Sequence, residues 1–195
     1  TQYTNGVRTV FATTSHEGWK QQITYDATTG EMLTDYVVQS DGSATMKTYV
    51  GGVLTKLNAK NADGSLDNWT YNIKGQSYET IHQKNDANGN ITLIERLHQD
   101  GTYDYREVRA ADGSKEFFYY NAAGKLVTDV QVAADGTSTT FTHDPATDQV
   151  ISKVVKETDG DVFTSQYTDG VRTLYAVTSH EGWKQQITYD AKTGV

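Results

Sequence analysis

The chain alternates short, apolar-rich runs with polar turns at a step of about twelve residues. Runs of about eight residues rich in Thr, Val, Ile, Tyr and Phe, such as 19–26 and 171–178, lie between Asp-Gly or Asn-Gly pairs. β-Branched and aromatic residues favour strands, and Asn or Asp before Gly favours tight hairpin turns. The pattern predicts antiparallel strands in up-and-down order.

The spacing of glycines sets the number of strands. They fall at 6, 18, 30, 42, 51/52, 64, 75, 89, 101, 113, 124, 136, 160, 170, 182 and 194, with one skipped position near 148, in the segment that holds the only proline, Pro145. No window free of turn signals carries apolar residues at helical spacing. We therefore expect an all-β meander of about sixteen short strands and essentially no helix.

The faces of the predicted strands are unequal. In 19–26 the residues Trp19, Gln21, Ile23 and Tyr25 share one face, whereas 31–38 has apolar residues on both faces. Open sheets with this many strands usually curl. The preferred architecture is an elongated, twisted or coiled repeat sheet, and a closed barrel or a sandwich is the alternative.

A second regularity pairs the turns into hairpins of about 24 residues. The segment 25–34 (YDATTGEMLT) aligns with 120–128 (YNAAGKLVT) and more loosely with 85–92. In these segments the chain resembles the YD (Rhs-type) repeats of large secreted bacterial proteins. The resemblance implies β-hairpin repeats in an exported spacer or shell.

The longest repeat has a period of 164 residues. Residues 2–30 align without gaps on 166–194, with five differences, Asn5/Asp169, Val10/Leu174, Phe11/Tyr175, Thr13/Val177 and Thr28/Lys192. We predict that 2–165 is one tandem unit and that 166–195 begins the next, in the same sheet. The start, TQYTNGVRTV, is unlike a signal peptide, so we expect a piece of a longer protein.

The composition argues against several kinds of partner and site. The 195 residues are 36% hydrophobic and 11% aromatic, with mean hydropathy −0.64, net charge −8 and no cysteine. The acidic balance removes the electrostatic attraction to phosphate backbones, so we expect no nucleic-acid partner. The absence of cysteine excludes disulfides and thiolate metal sites. No apolar run is long enough for a membrane span.

The most distinctive peptide, TSHEGWKQQITYDA, occurs twice and supplies the candidate binding residues His16, Glu17 and Trp19 with their twins His180, Glu181 and Trp183. His and Glu at a loop tip can share a proton or bind a metal, and Trp can stack on a sugar ring. Because Glu-Gly falls where other units have Asp-Gly, the favoured interpretation is a turn variant with Trp opening the next strand.

The remaining polar residues give no catalytic or metal motif. His82, His98 and His143 lack the spacing that would put two ligands on one face, and no Ser lies in G-x-S-x-G. Solvated turns are favoured over weak calcium sites for the Asp-Gly pairs. We therefore predict no catalytic residue, no metal and no cofactor.

Three functions follow, in order of preference. The first is a non-catalytic structural segment (spacer, stalk or shell) of a large exported bacterial protein, at the cell surface or secreted, whose partners are neighbouring repeats of the same chain. The second is an adhesin module that binds polysaccharide or a cell surface through Thr and Tyr ladders. The third is an enzyme fragment.

Overall fold

The computed structural model describes all 195 residues and contains seventeen strands and no helix. The strands are β1 (Gln2–Thr4), β2 (Val7–Thr14), β3 (Lys20–Tyr25), β4 (Met32–Val38), β5 (Ala44–Val50), β6 (Val53–Lys60), β7 (Leu66–Thr70), β8 (Thr80–Asn85), β9 (Ile91–Leu97), β10 (Tyr103–Arg109), β11 (Lys115–Tyr120), β12 (Leu126–Val132), β13 (Ser138–His143), β14 (Val150–Lys156), β15 (Val162–Thr168), β16 (Val171–Thr178) and β17 (Lys184–Thr188). The predicted all-β antiparallel meander is confirmed. None of these elements is an apolar helix long enough to cross a bilayer.

The chain divides into two compact units, Thr1–Gln99 and Asp100–Val195. In the first, β1 to β9 pair antiparallel, each with the next strand in sequence. In the second, β10 to β17 do the same. Neither unit closes into a barrel, because its first and last strands do not pair. The unit boundary differs from the predicted repeat boundary at 165/166, and the tandem repeat stays a prediction.

Two-residue turns join the tightest hairpins. At Asn5-Gly6 both residues have positive φ, 50° and 81°, and Asp169-Gly170 repeats this with 50° and 79°. Gly51-Gly52 has 56° and 73°. Positive φ at both central positions defines the type I′ turn, whose twist matches that of paired strands. Asn and Asp are tolerated there because they adopt the left-handed conformation more readily than other residues with a side chain.

The other Asp-Gly turns have a different geometry from the one their sequence suggests. In the turn at 39–43, Gly42 alone has positive φ (85°). Gly42 N–H donates to the Gln39 carbonyl at 3.1 Å, and Ser43 N–H donates to Asp41 Oδ1 at 2.9 Å. Asp41 therefore accepts the N–H of the residue two positions on, and glycine supplies the left-handed residue of a three-residue loop.

The skipped glycine position is filled by an aspartate. Asp148 has φ 61°, and its N–H donates to the Asp144 carbonyl at 2.8 Å. In the equivalent loop at the end of the chain, Gly194 has φ 71° and donates to the Asp190 carbonyl at 2.8 Å. Asp148 therefore takes the left-handed conformation that glycine has in the other turns. The regular spacing of strands continues through this segment for that reason.

The core is thin and largely polar. Val177 is the one apolar residue that is almost fully buried (5% exposed), and no large side chain is completely buried. The other well-buried residues are His82, Glu95, Glu107, Ser165 and Ser179. With little apolar surface removed from water, the units depend on their strand ladders and turn hydrogen bonds to a greater extent than a globular domain does.

Candidate functional site: the His-Glu-Gly-Trp turns and the buried polar clusters

The two His-Glu-Gly-Trp segments form three-residue turns of the same geometry as the Asp-Gly turns. In the first, Gly18 N–H donates to the Ser15 carbonyl at 3.1 Å and Ser15 N–H donates to the Trp19 carbonyl at 2.9 Å. In the second, the matching distances are both 2.9 Å. Gly18 and Gly182 have φ 91° and 92°. Each segment is a turn, with Trp immediately before the next strand.

The second turn carries a contact that the first does not. His180 Nδ1 lies 2.6 Å from Asp161 Oδ1, and His180 N–H donates to the same oxygen at 2.8 Å. Asp161 precedes β15, the strand that pairs with β16 and brings this carboxylate to the turn. His16 has no carboxylate contact of this kind. The candidate residues thus share a backbone but differ in their surroundings.

The ion pair shifts the pKa of both Asp161 and His180. The backbone N–H and the imidazole of His180 hold the pKa of Asp161 below its ordinary 3.8, and Asp161 raises the pKa of His180 above its ordinary 6.5. Hydrogen bonds to the charged form of each group cause these shifts. Half of the His180 side chain is exposed (49%), so solvent screens the pair.

Asp159, Asp161 and His180 form a group whose potential metal-ligand atoms all lie within 4.8 Å of one another. Two carboxylates and an imidazole suit several divalent cations. The polar atoms already have protein partners, since Asp159 Oδ1 accepts the Asp161 N–H at 2.9 Å and Asp161 Oδ1 accepts from His180. A cation bound through His180 Nδ1 would therefore displace the bond of that nitrogen to Asp161. Sequence analysis missed this group because its members are 21 residues apart in sequence, from 159 to 180.

The two tryptophans differ in exposure. Trp183 is 50% exposed, whereas Trp19 is more deeply buried. The difference follows from the strand after the turn: β3 has β4 on its outer edge, and Ser40 of the β4–β5 turn lies 3.7 Å from a Cβ built on Gly18. β17 pairs with β16 alone. Trp183 is thus the more accessible of the two tryptophans.

A buried charged cluster in the first unit was missed by sequence analysis. His82, 5% exposed, has Nδ1 at 2.8 Å from Glu95 Oε2 and Nε2 at 2.8 Å from Asp67 Oδ1. Trp69 stacks on the imidazole with ring centroids 3.7 Å apart. Counting strand register from the turns could have found it, because Trp69, His82 and Glu95 are directly opposite one another on β7, β8 and β9.

This arrangement is suited to holding strands together. Both imidazole nitrogens face carboxylates, and the ring face is covered by indole, so His82 has no free nitrogen for a substrate. Lys84 Nζ lies 3.4 Å from Asp67 Oδ2 and adds an ion pair to the cluster. Charged hydrogen bonds in a poorly solvated position are strong, and their loss leaves an uncompensated buried charge. The cluster joins three adjacent strands.

A carboxyl pair lies in the second unit beside a shallow depression of about 490 Å³. Gln131 Nε2 donates to Glu116 Oε1 at 3.0 Å and to Asp129 Oδ2 at 3.2 Å. Burial, and then the charge of Glu116, raises the pKa of Asp129. The depression is open to solvent, and its lining carries no His or Cys to act with the carboxyl pair.

Comparisons with known proteins give a likeness to solved structures but to no family. No protein-family model matches the chain, and no curated protein matches its sequence. The chain is similar to the crystal structure of a porin-like protein from Bacteroides uniformis, at 12% identity over 92% of this chain and 91% of that one, with a TM-score of 0.23. At that TM-score the likeness carries no argument about function, and the YD similarity stays a resemblance.

Proposed function

We propose that the chain is a non-catalytic structural repeat segment, a spacer, stalk or shell of a large exported bacterial protein at the cell surface or in the medium. The observation that supports it best is the agreement between the two copies of the long repeat. Gln2, Tyr3 and Thr4 pair with Val10, Arg8 and Val7, and Gln166, Tyr167 and Thr168 pair with Leu174, Arg172 and Val171, with the same register shift after the glutamine.

The side-chain contacts of the two copies agree as closely as their backbone pairing does. The Arg8 guanidinium lies 4.5 Å from the Tyr25 ring centroid, and that of Arg172 lies 4.9 Å from the Tyr189 centroid. A sequence that rebuilds the same local structure after 164 residues is suited to growth by addition of units. Since repeats contact mainly their neighbours, length can increase without a new core. Neighbouring repeats are then the chief partners.

Tandem chains test the proposal. Chains with one, two and three copies of 2–165, each followed by 166–195, should show a maximum dimension by small-angle X-ray scattering that rises by an equal increment per unit. Stability against urea should not fall as units are added. A dimension that grows only as the cube root of mass, as for a compact particle, would refute the spacer.

One observation favours a second candidate, an adhesin module that binds polysaccharide. Trp183 is half exposed at a turn, beside His180 and Glu181. An exposed indole next to polar groups is suited to stacking on a sugar ring. Retention on a glycan column that is lost with Trp183→Ala and kept with Trp19→Ala would support this candidate over the spacer.

A further inference from the structure

A second depression in the second unit, formed by β14, β15 and β16, brings together two cations that form no ion pair. Its volume is about 290 Å³, which is at the lower limit of ligand pockets and suits a small ligand. The polar and aromatic side chains that line it are Lys153, Glu157, Phe163, Ser165, Arg172 and Tyr175.

Strand register explains why these side chains meet. Lys153 on β14 lies opposite Ser165 on β15, and Ser165 lies opposite Tyr175 on β16. Directly opposed side chains share a face of the sheet, so these three form a row across it. Arg172 would face the other way in a regular strand. The register shift after Gln166 re-aims it, and its guanidinium lies 5.4 Å from the Tyr175 ring centroid.

Neither cation is neutralised by a carboxylate of the chain. Lys153 Nζ lies 5.5 Å from the Phe141 ring centroid and forms no ion pair. The Arg172 guanidinium lies over the rings of Tyr175 and Tyr189 and donates to the Tyr189 hydroxyl at 3.3 Å. Because a guanidinium has five N–H donors, most of them are left for an anion. The depression therefore offers two charged donors to a carboxylate.

A buried hydroxyl independently points to a ligand in this depression. Ser165 is 8% exposed, and its hydroxyl makes no hydrogen bond to the protein although the residue lines the depression. Buried polar groups are normally hydrogen-bonded, so this hydroxyl is available to a group that enters. The lining also supplies a carboxylate acceptor, Glu157, and two aromatic rings, Phe163 and Tyr175.

We propose that this depression binds a sugar acid, a single hydroxylated ring that carries a carboxylate, such as a hexuronate. The carboxylate pairs with Lys153 and Arg172. Ring hydroxyls bond Ser165 and Glu157, and the apolar face of the ring lies against the aromatic side chains of the lining. This site goes beyond the proposed spacer function and does not depend on it.

Titration of the whole chain with sodium glucuronate, followed through the amide NMR signals, tests the site. We expect shifts concentrated in β14, β15 and β16. Lys153→Gln and Arg172→Gln should each raise the Kd about tenfold, because each removes a charged hydrogen bond to the carboxylate. Ser165→Ala should raise it about threefold, because a neutral hydrogen bond is weaker.

The chain supplies a matched control for each cation. Arg8 makes the same contacts with Tyr25 that Arg172 makes with Tyr189, and Phe11 stands at the position equivalent to Tyr175. Arg8→Gln therefore removes a similar structural contact and should leave the Kd unchanged. Lys156→Gln alters a lysine on the other face of β14 and should also leave it unchanged.

Two further probes test the class of ligand. Glucose lacks the carboxylate, and sulfate lacks the ring and its hydroxyls, so each should bind at least about tenfold more weakly than glucuronate. Equal binding of glucose or of sulfate would overturn the sugar-acid site. The absence of shifts in β14 to β16 up to the solubility limit of glucuronate, or unchanged affinity in both Lys153→Gln and Arg172→Gln, would also overturn it. Scattering from the tandem chains does not involve this site, so the spacer is tested separately.

Discussion

The two copies of the long repeat have nearly the same sequence, yet each has a neighbouring strand that the other lacks. The first copy, 2–30, has β4 beyond its last strand and only three residues of β1 before β2. In the second copy, 166–194, β15 is seven residues long and β17 pairs with β16. The two copies differ in the exposure of Trp, the pairing of His and the pairing of their last strands. Because their sequences are nearly identical, these differences arise from the neighbouring strands.

The comparison also separates the features that the repeat sequence encodes from those that depend on neighbouring strands. Turn dihedrals, the Arg–Tyr contact and the cap of the Asp26 and Asp190 loops are the same in both copies. In both loops, N–H donors of the residues two and three positions on hold the pKa of the aspartate below its ordinary value. These features are encoded within the repeat. The burial of Trp and the pairing of His depend on adjacent strands.

The largest predicted difference concerns the glycine of the two-residue turn. Gly170→Val should destabilise the protein by about 2 kcal/mol, because a β-branched residue is strained at positive φ. A Cβ on Gly170 or Gly6 meets nothing within 4 Å, so backbone strain is the sole cause. Gly170 joins strands with seven opposed pairs and Gly6 joins strands with three. Gly6→Val should therefore cost less than about 0.5 kcal/mol, because β1 can separate locally.

Urea denaturation of both variants provides the measurement. Hydrogen exchange of the β1 amides should rise in Gly6→Val without a change in the unfolding midpoint. Equal losses of stability in the two variants would show that β1 is as firmly held as β15, and would contradict the expectation that β1 separates locally.

A smaller effect is expected from the arginine that both copies share. Arg8 donates to the Tyr25 hydroxyl at 2.8 Å, and Arg172 donates to the Tyr189 hydroxyl at 3.3 Å. Leucine at either position should cost about 0.5–1 kcal/mol, since the bond and the cation–π contact are both exposed. The loss should be larger for Arg8→Leu, because its geometry is tighter. Thermal melts of the two variants, with Arg→Lys at each position as controls, would detect a reversed order.

Much of the fold could be predicted from the sequence because its signals are local. Strand runs, turn glycines and the absence of helical periodicity predicted the antiparallel meander, which the structure confirms. The left-handed role of Asp148 was not predicted, because it depends on a loop geometry that no glycine marks. Nor was the geometry of the Asp-Gly turns, in which aspartate caps and glycine alone is left-handed.

The candidate residues show the limit of that approach. Sequence located the two His-Glu-Gly-Trp turns but could not distinguish them, because their own residues are identical. The His180–Asp161 pair joins two turns and the His82 cluster joins three strands, so both depend on register. Whether His16, Glu17, Trp19, His180, Glu181 and Trp183 bind a ligand stays a prediction.

The His180–Asp161 pair predicts a pH dependence confined to the second copy. A raised histidine pKa contributes stability that is fully present below 6.5 and is lost as the pH rises through the raised value. A lowered aspartate pKa contributes stability that is present above 3.8 and is lost as the pH falls through the lowered value. The pair should therefore stabilise most between about pH 4 and pH 6.5.

His180→Gln should lower the melting temperature at pH 5.5 and have less effect at pH 8.5. His16→Gln changes the same residue in the same turn without a carboxylate partner, so it should have no effect at either pH. A His16→Gln variant with the pH profile of His180→Gln would show that the turn itself titrates, independent of Asp161.

The smallest predicted effect is a difference in fluorescence quenching between the two tryptophans. It measures how far a neighbouring strand shields the Trp side chain from solvent. Trp183 is 50% exposed, Trp19 is more deeply buried, and Trp69 stacks on His82. Acrylamide quenching should therefore fall in Trp183→Phe and rise in Trp19→Phe, with no change in stability. Equal quenching of the two variants would show that β4, which pairs with β3, does not cover Trp19.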